Sequence, residues 1–252
     1  MAGRVEAGGD GSRWTRRAVL GALAAAPVGW GSTAALALPA ALRADVHAEL
    51  DDPVGWSPSG GPDASGVQLY RRPVRALGLS AWRADAVLDP RVRAALFYGV
   101  LSDIEAHLRL TPGLVASVVF DRQGDDAAFY QVLGAPSLTP VADRYWISES
   151  RGQVRIDGDP DRFRRAWSTQ SAPRHDAVRE QILQQFPGAI EVGCAHGYWD
   201  LRRRTDGRLG VSYRLVSDPG GSLPKGFSSS VAGRGMPATI RGIEREALRR
   251  AG

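Results

Sequence analysis

The chain has 252 residues, 43% hydrophobic and 23% charged, so it holds enough apolar material for a packed core, and wholesale disorder is excluded. Its formal charge is +5, or +3 once the four arginines and two acidic residues of the first 37 positions are set aside, which is too little for a nucleic-acid-binding surface. The single cysteine, Cys194, rules out an intramolecular disulfide and leaves packing to stabilise the fold.

Residues Ser12 to Leu20 form a basic segment with paired Arg16 and Arg17, and the apolar run Ala18 to Ala26 follows. With the small-residue pattern Ala35-Leu36-Ala37, this stretch resembles a twin-arginine signal peptide over residues 1–37 and implies a periplasmic or extracellular location. The apolar run is too short and too rich in Ala and Gly to be read as a membrane span. Residues 38–65 are rich in Pro, Gly, Ser and Asp and read as a linker with a short helix around Ala44 to Leu50. The folded domain is expected over 66–252.

Val67 to Pro73 and Gly78 to Leu88 alternate polar and apolar residues and predict a first hairpin. Asp89-Pro90 is then the expected start of one helix or a pair of them reaching Leu110, with Asp89 as N-cap and Val92, Leu96, Val100 and Ile104 at four-residue spacing. Leu114 to Phe120 and Ala127 to Leu133 predict a second hairpin. Tyr145 to Ser150 and Gln153 to Asp157 predict another around Arg151-Gly152, followed by a strand at Phe163 to Ser168. Ala177 to Phe186 reads as a helix. Ala189 to Arg204 and Arg208 to Val216 form a long pair turning at Asp206-Gly207, the strongest hairpin signal in the chain. A terminal amphipathic helix is expected over Pro237 to Arg250. This order gives an α+β fold, an antiparallel sheet with helices segregated to a face, and a curved sheet gripping a helix leaves room for an apolar cavity.

The run Gly197-Tyr198-Trp199-Asp200-Leu201, the strand Val211-Ser212-Tyr213-Arg214-Leu215 and the turn Asp218-Pro219-Gly220-Gly221-Ser222-Leu223-Pro224 resemble START (steroidogenic acute regulatory related lipid-transfer) domains. So do the strand opening Gly66 to Pro73 and the segment Pro140 to Trp146, so that the resemblance covers about residues 45–250. It implies a helix-grip fold, a curved antiparallel sheet wrapped around a long C-terminal helix that acts as a lid over a tunnel for a sterol, phospholipid or other apolar molecule. Tyr145 stands where the family places an acidic residue, and Ser148-Glu149-Ser150 where some members place an arginine, so sterol specificity does not carry over.

Strand alternation groups Arg144, Trp146, Ser148 and Ser150 on one face, and the resemblance implies that this face lines the cavity. Arg144 is the sharpest candidate, because a charge directed into an apolar cavity must meet a ligand head group or an internal partner. In the later strand, Tyr198, Asp200 and Arg202 alternate with Trp199, Leu201 and Arg203, and alternation leaves open which set faces inward; Trp199 and Tyr213 are carried as candidates. Met236, Ile240 and Ile243 are the lid residues of the terminal helix, with Phe227 at its hinge. Core packing alone would also account for any single aromatic among them.

No nucleophile elbow, zinc-protease helix, phosphate loop or complete dinucleotide fingerprint is present in the sequence. Cys194 and His196 share a strand face without a partner cluster for a metal, and His47, His107 and His175 are expected in surface roles. The reading is therefore a monomeric carrier with no cofactor, metal or catalytic group, binding one lipid or similar ligand and touching membranes transiently. The alternative is a helix-grip enzyme of cyclase or hydrolase type, with Arg144, Glu149 or His196 in acid/base roles.

Overall fold

A computed structural model describes residues 38–135, 141–170, 172–221 and 225–252, except the side chains of 40 and 225–234. The expected export signal over 1–37 lies outside the described residues, as does the side chain of Phe227.

Residues 38–65 are not a free linker. Ala40–Asp51 form helix α1, and Val46 and Leu50, one turn apart, are fully buried against Val74, Leu79, Ala81, Tyr198 and Val216. The sheet also takes up the helix's last carbonyls. Tyr198 Oη donates to Leu50 O at 3.1 Å, and Arg214 Nη1 donates to Leu50 O at 2.6 Å and Asp51 O at 3.3 Å. A guanidinium is well suited to the negative end of a helix. A two-residue strand, β1 (Ser57–Pro58), follows and pairs with the sheet edge.

β2 (Gln68–Val74) and β3 (Leu79–Val87) form the expected hairpin. Asp89-Pro90 does not begin a helix. The Asp89 carboxylate accepts from the Arg91 N–H at 2.9 Å and closes a turn, and α2 (Ala94–Ser102) starts only where the sequence becomes apolar, burying Phe97, Tyr98, Val100 and Leu101. Asp103 then accepts from the Ala106 N–H at 3.3 Å and opens a 3-10 turn, Ile104–Ala106, that runs into α3 (His107–Leu110).

β4 (Leu114–Gln123) and β5 (Asp126–Leu133) pair as expected. The hairpin expected at Arg151-Gly152 is absent, because β6 (Arg144–Val154) runs straight through it. Gly152 is needed there for another reason: a Cβ would collide with the Tyr98 hydroxyl. The chain reverses later, where Arg155 (φ 51°) and Asp157 (φ 56°) take left-handed conformations, and returns as β7 (Phe163–Thr169). After α4 (Asp176–Gln185), the single strand expected over Ala189 to Arg204 splits in two. β8 (Ile190–Glu191) lies parallel to the start of β6, and β9 (Cys194–Arg203) joins the main sheet. β10 (Leu209–Asp218) completes the Asp206-Gly207 hairpin with Gly207 at φ 78°. α5 (Lys225–Ala251) begins well before Pro237, which sits inside it.

The strand order is β1-β2-β3-β10-β9-β7-β6-β5-β4, antiparallel throughout, with β8 beside β6. The inner face packs Trp82, Phe163, Trp199, Leu201 and Val211 against Phe97 and Leu101 of α2 and Met236, Ile240, Ile243 and Ala247 of α5. α1 covers one end of the outer face, and α4 covers the other through Ile182 against Tyr130, Val132, Tyr145 and Ile147. Ile240 and Ile243 are fully buried, each worth roughly 1.5–3 kcal/mol of transfer free energy. No helix among the described residues is long and apolar enough to cross a membrane.

Candidate functional site

Strand register fixes the inner wall as two rows of side chains. One row runs Ser150, Trp167, Gly197, Leu215 and Trp82 across β6, β7, β9, β10 and β3. The other runs Arg165, Trp199, Tyr213, Ala84 and Leu69. Gly197 lies beneath Trp167: a Cβ at this position would be 2.8 Å from the indole, so the missing side chain lets the ring lie across β9. Trp199 and Tyr213 stack with centroids 3.8 Å apart and planes at 7°, and Phe97 of α2 leans on Trp199 at 6.3 Å.

Of the residues singled out in the sequence, Trp199, Tyr213, Met236, Ile240 and Ile243 come together in this layer. Arg144, Trp146, Ser148 and Ser150 share the inner face farther along the sheet, with Trp146 against Ile104, Ala127 and Phe129. Trp82, Trp167 and Arg165 were missed. Pairing Leu79–Val87 with the Tyr213 strand would have pointed to Trp82; nothing in the sequence marks Arg165 as inward.

The inner arginines are both engaged. Arg144 Nε donates to Pro219 O at 2.9 Å, and its Nη1 donates to Ala142 O at 2.5 Å and Asp143 O at 3.5 Å, so it ties the loop after β10 to the start of β6 instead of pairing with an acid. Arg165 donates to Ser102 Oγ at 3.2 Å, Asp125 O at 2.9 Å and Ser150 Oγ at 2.7 Å. Burial lowers the pKa of both guanidiniums below the usual arginine value. Nearby, Gln131 Nε2 donates to Ser117 Oγ at 2.9 Å, and Ser117 donates to Ile104 O at 2.6 Å. The Ser148 hydroxyl is fully buried without a partner.

Of the three residues named for acid/base work in the enzymatic alternative, only Arg144 faces the inner wall. Arg144 points inward onto carbonyls, Glu149 lies on the outer face with Arg174, and His196 is on the outer face next to His47 of α1. The histidines expected at the surface are not fully exposed: His175 is buried, and His47 and His107 are half-buried; His196, on β9, is fully buried. His107 contacts Leu101 O through Nε2, and desolvation holds its pKa at about 4. An open surface cleft of about 370 Å³, lined by Arg93, Ala94, Leu96, Pro160, Asp161 and Arg203, includes none of the candidate residues.

The inner wall retains accessible aromatic surface. Trp146, Trp167 and Tyr213 are only half-buried, whereas Trp199 is 4% exposed. Tyr213 lies in the middle of the sheet between β9 and β3, and burial alone pushes its phenol well above the usual tyrosine range.

No protein-family model matches the chain. A STAR-related lipid transfer protein from Xanthomonas axonopodis superposes with a TM-score of 0.62 at 22% identity, covering 77% of this chain and 99% of that one. The chain has the START helix-grip fold. Human StAR-related lipid transfer protein 5 superposes with a TM-score of 0.64 at 11% identity, over 83% of this chain and 94% of that one. In sequence, an uncharacterized Pseudomonas aeruginosa protein is 23% identical over 188 residues, 75% of this chain and 85% of its own. These superpositions establish shared architecture only.

Proposed function

We propose that the chain binds one hydrophobic molecule in the space between the inner wall of the sheet and α5, shielding it from water and passing it between membranes by transient contact. The observation that carries this reading is the aromatic inner wall, where Trp167 and Tyr213 are only half-buried in the layer that faces α5. The lipid-transfer proteins among its structural neighbours support the same reading, and the outward placement of Glu149 and His196, with Arg144 engaged by carbonyls, argues against the enzymatic one. Burial of ligand surface at roughly 25 cal/mol per Å² would drive binding without catalytic groups. The basic, apolar segment over 1–37 supports export, with the carrier acting outside the cytoplasm.

Delipidated protein titrated with cis-parinaric acid should show saturable energy transfer from tryptophan with one probe per chain. Folded protein that takes up no probe would overturn the proposal.

A further inference from the structure

Six large apolar side chains are exposed among the described residues, and two of them, Leu108 (43%) and Val115 (47%), flank a single turn. α3 ends at Leu110, the Thr111 N–H donates to His107 O at 2.9 Å, and the Leu114 N–H donates to Thr111 O at 3.3 Å as β4 begins. Pro112 and Gly113 form the exposed tip between them. Val115 is held out by the strand itself. Leu114 pairs with Leu133 and Ala116 with Val132, so Val115 is an extra residue in a bulge, and bulges re-aim side chains. Gly134 beside it leaves the room, since a Cβ there would stand 2.8 Å from Val115 Cγ1.

The charge around this turn has one sign. From Ala106 to Phe120 the sequence carries no acidic residue. Its basic residues are His107, held neutral near pH 7 by desolvation, and Arg109, which is exposed and makes no hydrogen bond or ion pair among the described residues. The Asp143 carboxylate, which reaches the strand end beyond Gly134, is taken up by the Ala135 N–H at 2.7 Å. The turn is also fastened to the helix that closes the inner wall. Gly242 of α5 lies so close that a Cβ there would stand 2.6 Å from the Leu110 carbonyl oxygen.

The exposed residues of the turn are Leu108, Arg109, Pro112, Gly113 and Val115, far fewer than the roughly 20–30 a side that a stable protein interface uses. Shallow insertion into a bilayer needs only a few apolar side chains with a cation at head-group level. We infer that this turn is the surface by which the chain docks on an anionic phospholipid bilayer, with Leu108 and Val115 entering the acyl boundary and Arg109 meeting lipid phosphates. This rests on the carrier reading above, which requires contact with membranes and leaves its surface open. Docking here brings the middle of α5 up to the bilayer along with the turn.

Full-length Val115→Cys labelled with the environment-sensitive dye NBD reads insertion directly, because the single native cysteine, Cys194, is buried. On vesicles of equal parts phosphatidylglycerol and phosphatidylcholine, the label should shift to the blue and brighten roughly twofold or more. The same label on Val54→Cys, 72% exposed in the turn after α1, should not respond. Arg109→Gln should weaken binding to these vesicles about fivefold and leave binding to phosphatidylcholine alone unchanged. A label at 115 that stays in water while the chain is bound, a label at 54 that responds equally, Arg109→Gln binding as wild type, or a chain that binds no vesicle would each overturn the docking assignment. Uptake of cis-parinaric acid by the same folded protein decides the carrier reading separately, so that a chain which takes up the probe but fails on vesicles loses the docking surface alone.

Discussion

His196 makes the outer face of the sheet acid-sensitive in a way that can be worked through quantitatively. It is fully buried on β9, neither ring nitrogen has a hydrogen-bond partner, and its ring meets that of His47 edge-on at 5.7 Å. Burial, reinforced by the charges of His47 and Arg43, pushes its pKa from 6.5 to about 4. The folded value lies below the unfolded one, so between the two the unfolded chain binds more protons. The neutral ring's full stability is therefore present above about pH 6.5 and is lost as pH falls toward 4. With these two values, going from pH 7 to pH 5 costs about 2 kcal/mol at this residue, out of a limit of about 3 kcal/mol. His196→Phe abolishes the titration and removes two unsatisfied nitrogens at similar volume. Urea denaturation followed by tryptophan fluorescence at about pH 7 and pH 5 should show the variant losing about 2 kcal/mol less than wild type across that interval. His107, also held at about 4, contributes equally to both proteins and cancels in the comparison. Equal losses in the two proteins would show that His196 does not titrate as its burial requires.

Gly197→Ala should destabilise the sheet by about 1–3 kcal/mol in urea denaturation, since the new methyl would press on the Trp167 indole and on the backbone carbonyl of Arg214. Wild-type stability would mean that Trp167 does not lie across β9. Ile240→Ala, at a fully buried position of α5, should cost about 2–5 kcal/mol by the same assay, and a loss below 1 kcal/mol would place the helix off the core. Arg214→Ala removes the guanidinium that holds the Leu50 and Asp51 carbonyls, so amide exchange in α1 should accelerate roughly tenfold or more while α5 is unaffected. Unchanged exchange in α1 would refute the clamp.

The hairpins were legible where a turn residue has one possible reason to be there. Asp206-Gly207 needs its left-handed glycine, and the strands on either side lie as expected. Arg151-Gly152 carries a similar signal but a different cause: its glycine makes room for a distant tyrosine hydroxyl, which sequence neighbours cannot reveal. A helix was legible around Ala44 to Leu50, but its docking on the sheet was not, because that contact centres on two apolar residues, Val46 and Leu50, in a segment otherwise rich in Ala and charge. Pro237 marks helix starts in general but here lies within a longer helix, half of whose earlier residues are Gly or Ser. The inward face of β9 was undecidable from alternation because both of its faces are covered. Trp199 and Leu201 meet the α5 core, while Tyr198 and Cys194 meet α1, so neither side of Cys194 to Leu201 is left exposed. The inward direction of the Arg144 set could be inferred from resemblance, but not the carbonyls that engage its guanidinium, since the Pro219 carbonyl is contributed by a loop seventy-five residues away.

Native mass spectrometry of the full chain, purified from its host without detergent or organic solvent, bears most directly on whether the fold encloses a ligand. Expected is a population carrying one apolar molecule per chain that organic extraction releases while the protein stays folded. The bare chain mass in every preparation, with no molecule recovered in the extract, would contradict it.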